Sequence, residues 1–294
     1  MHDNRMLVMP AGDTIRFDRQ VVLVTGAGRG LGRAYALTLA ERGAHVVVHD
    51  AGVERDGRGG DPTLAAAVAA QIGDRGGSAL ASVEDVGDRA GCEALVARTL
   101  ERFGRLDALV HNAGVVSFAA IADTDDDAWE RMTRVNVAAP FWLCRAAWPT
   151  LRQRGYGRIV LTVSGVAMSV ERALDDLAAY SVGKASQFGL MNALAAEGAT
   201  HGILVNAISP VATTRMSREP AAPGTLTPEH VAPAVAFLAS SRCGLSGVVV
   251  RVAGGRISTG SFGYGPEVDL GVRPAPPETI AALVPDLLKR RLDA

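Results

Sequence analysis

Cysteine, net charge and long apolar runs are all scarce in this chain of 294 residues. The only cysteines, Cys92, Cys144 and Cys243, are odd in number and lack metal-ligand spacing. That argues for structural roles in a reducing, cytoplasmic setting. A formal net charge of −1 argues against nucleic acid or an anionic membrane as the main partner. No apolar run is long enough to cross a bilayer, and the Met6–Met9 patch is too brief for a signal peptide. Residues 1–16 are therefore expected to form an N-terminal extension. His45 and His49 alternate like ligands but have no suitable partners nearby in sequence, so no metal is expected. The acidic run Asp123–Asp127 reads as a helix start, favoured by the helix dipole, rather than a cation site.

What the chain does have is apolar mass, 48% of its residues, enough for one large α/β domain. Its organising stretch is Thr25-Gly26-Ala27-Gly28-Arg29-Gly30-Leu31-Gly32. Val21–Val24 before it reads as a buried strand, and Arg33–Arg42 after it is rich in helix formers. A strand, a glycine turn and a helix N-terminus leave backbone N–H groups and the positive end of a helix dipole facing one point, where a diphosphate fits. Asp50 ends the next strand pattern, about 20 positions on, where an acidic side chain would accept hydrogen bonds from ribose hydroxyls. That favours NAD over NADP. Arg29 reads as a solvated loop residue, with pairing to a 2′-phosphate left open.

Strand and helix patterns then alternate. Helices are expected from Asp61-Pro62 through Ile72, over Arg89–Phe103, over Asp126–Arg154 and over Leu177–Thr200, with a further one capped by Thr227-Pro228-Glu229. Strands are expected at 78–83, 106–111, 157–164 and 203–208, and the last at 248–252. Pro140 and Pro149 should bend the long helix or shift its limits. The fold class is a single-domain doubly wound, Rossmann-type parallel sheet of about seven strands with helices on both faces, over residues 17–259. Residues 260–294 form a tail ending in an amphipathic piece, Ile280–Leu292.

The second chemical motif is Tyr180-Ser181-Val182-Gly183-Lys184. Four positions apart on a helix, the phenol and the ammonium share a face. A nearby ammonium should lower the tyrosine pKa from about 10 and make it a usable acid/base. This helix follows the strand that Ser164 closes, so both lie at the carboxyl edge with the glycine turn.

Together these residues resemble the short-chain dehydrogenase/reductase family over about residues 18–256. The matching motifs are Thr25-Gly26-x-x-x-Gly30-x-Gly32, Asp85-Val86, Asn112-Ala113-Gly114, Asn136, Ser164, Tyr180 and Lys184. Within the family the chain is most similar to the 3-hydroxyacyl-CoA dehydrogenase unit of multifunctional β-oxidation enzymes, through Gly28–Leu37, Arg145–Trp148, Tyr156–Ile159 and the glycine-rich loop after Asp50. The resemblance implies Tyr180 as acid/base, Ser164 holding the substrate oxygen, Lys184 on the nicotinamide ribose and Asn136 supporting a water relay. It implies a nucleotide site built from Gly26, Arg29, Gly30, Leu31, Gly32, Asp50, Asp85, Val86, Asn112, Ala113, Gly114, Tyr180, Lys184, Pro210 and Thr213. It also implies a small alcohol or ketone substrate and a homodimer or homotetramer. A steroid or other bulky alcohol, or an idle dinucleotide-binding sensor, are the alternative functions.

The chain departs from the family at His111, at Val211 and in spacing. Ser164 lies 180 − 164 = 16 positions before Tyr180, a few more than the family norm. Ser169, within the extra residues, is the alternative serine.

Overall fold

The computed structural model describes residues 14–217, 222, 224–260, 267–270 and 274–292, without the side chains of 286–292. Residues 1–13 of the expected extension lie outside that description. Residues up to Thr259 and residues from Gly260 onward form two units.

In the first unit, β1 (Val21–Thr25), β2 (His45–His49), β3 (Ser78–Ser82), β4 (Ala108–His111), β5 (Gly157–Thr162), β6 (Ile203–Val211), β7 (Val249–Ala253) and β8 (Arg256–Gly260) form one sheet. The order is β3-β2-β1-β4-β5-β6-β7-β8, and neighbours from β3 to β7 run parallel. The expected last strand is followed by an eighth. Gly254 and Gly255, both at positive φ, supply the two-residue turn of an antiparallel hairpin. β8 has little apolar patterning, and only its link to β7 makes it a strand.

Helices cover both faces, which is why the inner strands are near-continuous Val, Leu and Ile. The two-residue period of β1 shows this. Val22 and Val24 face a core with Tyr35 and Leu39 of α1 (Gly30–Glu41), Val68 of α2 (Thr63–Asp74) and Val235 of α7 (Ala232–Ala239). Val21 and Leu23 face a second core with Leu95 of α3 (Arg89–Phe103), Leu143 of α5 (Ala139–Arg154) and Met191 of α6 (Ala178–Gly198).

The long helix expected over 126–154 is α4 (Asp126–Met132), a π turn (Thr133–Ala138) and α5. Asp125 caps its start, its carboxylate accepting from Ala128 N at 2.6 Å. The π turn has a local cause. Pro140 lacks an N–H, so the Asn136 carbonyl four residues earlier loses its α-helical donor. Gln187 of α6 replaces it, donating Nε2 to Asn136 O at 3.0 Å. In the second unit, α8 spans Pro277–Leu292.

Candidate active site

The sheet reverses its winding between β1 and β4, and a crevice opens there at the carboxyl ends of the strands. β1 runs into Gly26, whose φ of +64° suits glycine. At Gly32 a Cβ would lie 2.0 Å from Gly26 O, so the turn closes only without a side chain. Arg29, at the N-cap of α1, makes no side-chain cap, and the first turn carries no acidic residue. The helix amides are thus left to a ligand.

Gly26, Arg29, Gly30, Leu31, Asp50, Asp85, Val86, Asn112, Ala113 and Gly114, all expected from the sequence, border one cavity. Asp50 is nearly buried, and its two oxygens accept from Gly28 N and Gly52 N at 2.8 Å each. Asp85 accepts from Gly87 N at 2.8 Å and meets Arg134 at 3.2 Å. Asn112 holds the glycine turn through Thr25 O and Gly26 O. Gly32 backs the turn without bordering the cavity. Pro210 and Thr213 are not on its border either. Pro210 is inside β6, and Thr213 N donates to Leu226 O at 2.7 Å. Thr214, Arg215 and Met216 line it instead, together with Ala51, Val53 and Gly57 of the loop after β2. These lay in stretches readable only as loop, because only the packing of two loops puts them beside the turn. Arg29 is not a free solvated residue. It donates to Val53 O at 2.9 Å and faces Glu54 at 3.9 Å.

Asn136 fixes the next segment by accepting from Val115 N at 3.0 Å and donating to Val115 O at 2.8 Å. Gly114 lies between it and the lysine: a Cβ there would stand 3.2 Å from Asn136 Oδ1 and 3.3 Å from Lys184 Nζ. Lys184, 2% exposed, donates Nζ to Thr162 O at 2.9 Å and sits 5.9 Å from the Tyr180 ring centre. The Ser164 side chain stands beside the Tyr180 hydroxyl. The longer spacing is absorbed by two short 3₁₀ turns, 165–167 and 170–172. Ser169 starts the second and stands beside Glu171, not the tyrosine.

One electrostatic expectation is corrected. Burial pushes the Tyr180 hydroxyl above its ordinary value, and the neighbouring Ser164 side chain only partly opposes this. The ammonium does not set it below 10 in this structure, because Lys184 is itself desolvated and lowered to about 8. The folded state therefore gives up the lysine proton near pH 8, whereas an unfolded chain keeps it to about 10.4. Folding is opposed by this group below pH 8, and the cost is relieved as pH rises toward 10. Lys184→Met, measured by urea unfolding, should thus compare more favourably with the natural protein at pH 7 than at pH 10. An equal difference at both would show that the ammonium is not desolvated.

His111 makes one strand-end hydrogen bond, to Thr25 Oγ1 through Nδ1 at 3.1 Å. That hydroxyl already accepts from Asn112 N and Ala113 N, so it donates to His111 and leaves the imidazole proton on Nε2. Burial pushes His111 down to about 3, so it is neutral. Val211 extends β6 by pairing with Ala253.

No helix among the described residues is long and apolar enough to cross a membrane. A family model for short chain dehydrogenases matches residues 20–222. A short-chain type dehydrogenase/reductase of Mycobacterium tuberculosis is 38% identical over 241 residues, 81% of this chain and 83% of that one. Peroxisomal multifunctional enzyme type 2 of Mus musculus is 41% identical over 249 residues, 83% of this chain but 33% of its own length, so the chain spans about a third of that relative. A crystal structure of a short chain dehydrogenase from Mycobacterium avium has a TM-score of 0.81 at 37% identity, covering 94% of this chain and 96% of that one. Carveol dehydrogenase from Mycobacterium avium, in complex with NAD, has a TM-score of 0.72 at 27% identity, covering 81% and 97%. Since the family match runs unbroken from the glycine turn through Tyr180 and Lys184, this chain belongs to the short-chain dehydrogenases and is an oxidoreductase.

Proposed function

We propose that this oxidoreductase uses NAD(H) to interconvert a secondary alcohol and a ketone, and that the substrate is a 3-hydroxyacyl-CoA or its 3-oxo partner. The observation that carries the reaction type is the Ser164 side chain beside the Tyr180 hydroxyl, with Lys184 one helical turn on. The cradle fits a dinucleotide: the α1 amides are uncapped, the turn admits no Cβ at Gly32, and Asp50 stands at the cavity wall. Bound there, the nicotinamide would supply the two-electron acceptor or donor for hydride transfer. Gly26, Gly30 and Leu31 would hold the diphosphate, Asp50 the adenosine ribose and Asp85-Val86 the adenine side.

Tyr180 would take the alcohol proton, or return it to the ketone oxygen, while Ser164 fixes that oxygen. Lys184 would orient the ribose and relay the proton toward Asn136, which holds Gly114-Val115 against it. The long-tailed substrate rests on the similarity to multifunctional enzymes and on the shortness of the 211–226 segment over the sheet edge. Residues 218–221 and 223 of that segment lie outside the described residues. A homodimer or homotetramer is also proposed, by family resemblance.

The test compares kcat/KM with NAD for a 3-hydroxyacyl-CoA, its N-acetylcysteamine thioester and a hydroxysteroid. If the nucleotide part of CoA contributes binding energy, truncation costs about tenfold or more. Equal values for the two thioesters, or a preference for the steroid, overturn the acyl-CoA reading and favour a bulky alcohol. No turnover of any alcohol or ketone would favour a dinucleotide sensor.

A further inference from the structure

The rim of the dinucleotide cavity carries two arginines aimed at one point. Arg29 of the glycine turn and Arg215 of the segment after β6 each donate Nη2 to Val53 O at 2.9 Å. Both also face Glu54: Arg29 Nη1 lies 3.9 Å from Oε1 and Arg215 Nη1 lies 3.6 Å from Oε2. Arg29 Nε is buried with no hydrogen-bond partner among the described residues. Bringing two guanidiniums this close costs energy, and burial together with the Arg29 charge lowers the Arg215 pKa, with Glu54 opposing. The shared Val53 carbonyl and a nearby anion both offset that repulsion.

In this structure the anion is Glu54. Its backbone is tied on both sides, through Glu54 N to Arg58 O at 2.7 Å and Val116 N to Arg55 O at 2.7 Å. Arg29, Arg215, Val53 and Asp50 border the same cavity. Asp50 and Glu54 set two carboxylates against the two guanidiniums, so a phosphate ester on the adenosine ribose would meet no net positive charge there. Without Glu54 the wall would be positive, with two planar forks suited to phosphate oxygens.

We propose that Glu54 is a specificity-determining residue: by engaging Arg29 and Arg215 it denies them to the 2′-phosphate of NADP and so enforces NAD. The inference rests on the reading of this cavity as the dinucleotide site with the adenosine ribose at Asp50. It goes beyond Asp50, which repels the phosphate directly, because it makes exclusion depend on a residue that touches neither ribose nor phosphate.

Dissociation constants of NADH and NADPH, measured by fluorescence, test it in the natural protein, in Glu54→Gln and in Glu54→Gln combined with Arg215→Ala. The ratio of Kd for NADPH to Kd for NADH should fall about fivefold in Glu54→Gln, the upper range for one solvent-facing ion pair. The second substitution should restore it, and added salt should shrink the change. Glu54 is exposed on a loop, and circular dichroism verifies folding of each variant. A natural protein that prefers NADH with an unchanged ratio in Glu54→Gln overturns this inference alone. A fall that survives Arg215→Ala also overturns it, since the arginine pair would not be its cause. A natural protein that prefers NADPH overturns both this inference and the NAD reading.

Discussion

Tyr180→Phe is expected to bind NADH with near-natural affinity and to lose turnover by about 10²–10⁴. The substitution removes one hydroxyl and keeps the ring. That hydroxyl is the group Ser164 stands beside, and Tyr180 does not border the cavity formed around Gly26, Asp50 and Asp85. The nucleotide wall is therefore untouched while the proton-transferring oxygen is gone. An equal loss of kcat and kcat/KM would mark an interaction made in the transition state. Near-natural turnover in the purified variant would transfer the acid/base role elsewhere, and Lys184, with a pKa of about 8, would be the next group to test.

Gly32→Ala is expected to have a comparably large effect on a different quantity, dinucleotide affinity. The new Cβ would lie 2.0 Å from Gly26 O and 2.7 Å from Asn112 Nδ2. The first of these is backbone and cannot rotate away. Relief requires the glycine turn to open, which removes the amide cradle and breaks the Asn112 bonds to Thr25 O and Gly26 O. Overpacking of this kind costs about 1–3 kcal/mol, and a chain of this size loses about 2–4 °C of Tm per kcal/mol. NADH affinity should fall by about 100-fold, because the phosphate site depends on amide positions. Gly73→Ala is the control: no atom lies within 4 Å of a Cβ at that position in α2, so the helix should be slightly stabilised. Full NADH affinity in Gly32→Ala would mean that the turn tolerates opening and does not bind the diphosphate.

The residues that carried the most information were those whose local geometry restricts them to one role. The Val-rich strand into glycines identified β1, the turn and α1, because a strand, a positive-φ corner and a helix start each demand particular side chains. The acidic run Asp123–Asp127 was readable as a helix start, and the structure shows which member, Asp125, supplies the cap. Ser164, Tyr180 and Lys184 share one sheet edge through their positions on successive elements. Loop length alone favours neither Ser164 nor Ser169 physically; in the structure Ser164 is the serine beside the phenol.

What the sequence determined by itself was the parallel α/β architecture, the glycine turn and the set of chemical groups at one sheet edge. All of these follow from short-range periodicity, caps and turn chemistry. The tertiary structure alone decided the rest: the eighth strand, the Gln187 bond that supports the π turn, the raised Tyr180 and lowered Lys184 pKa values, and the meeting of Arg29, Arg215 and Glu54. Each depends on contacts between segments distant in the chain, or on the desolvation those contacts produce. Neither quantity is written in the spacing of residues along one element, since burial and charge proximity are properties of the packed fold.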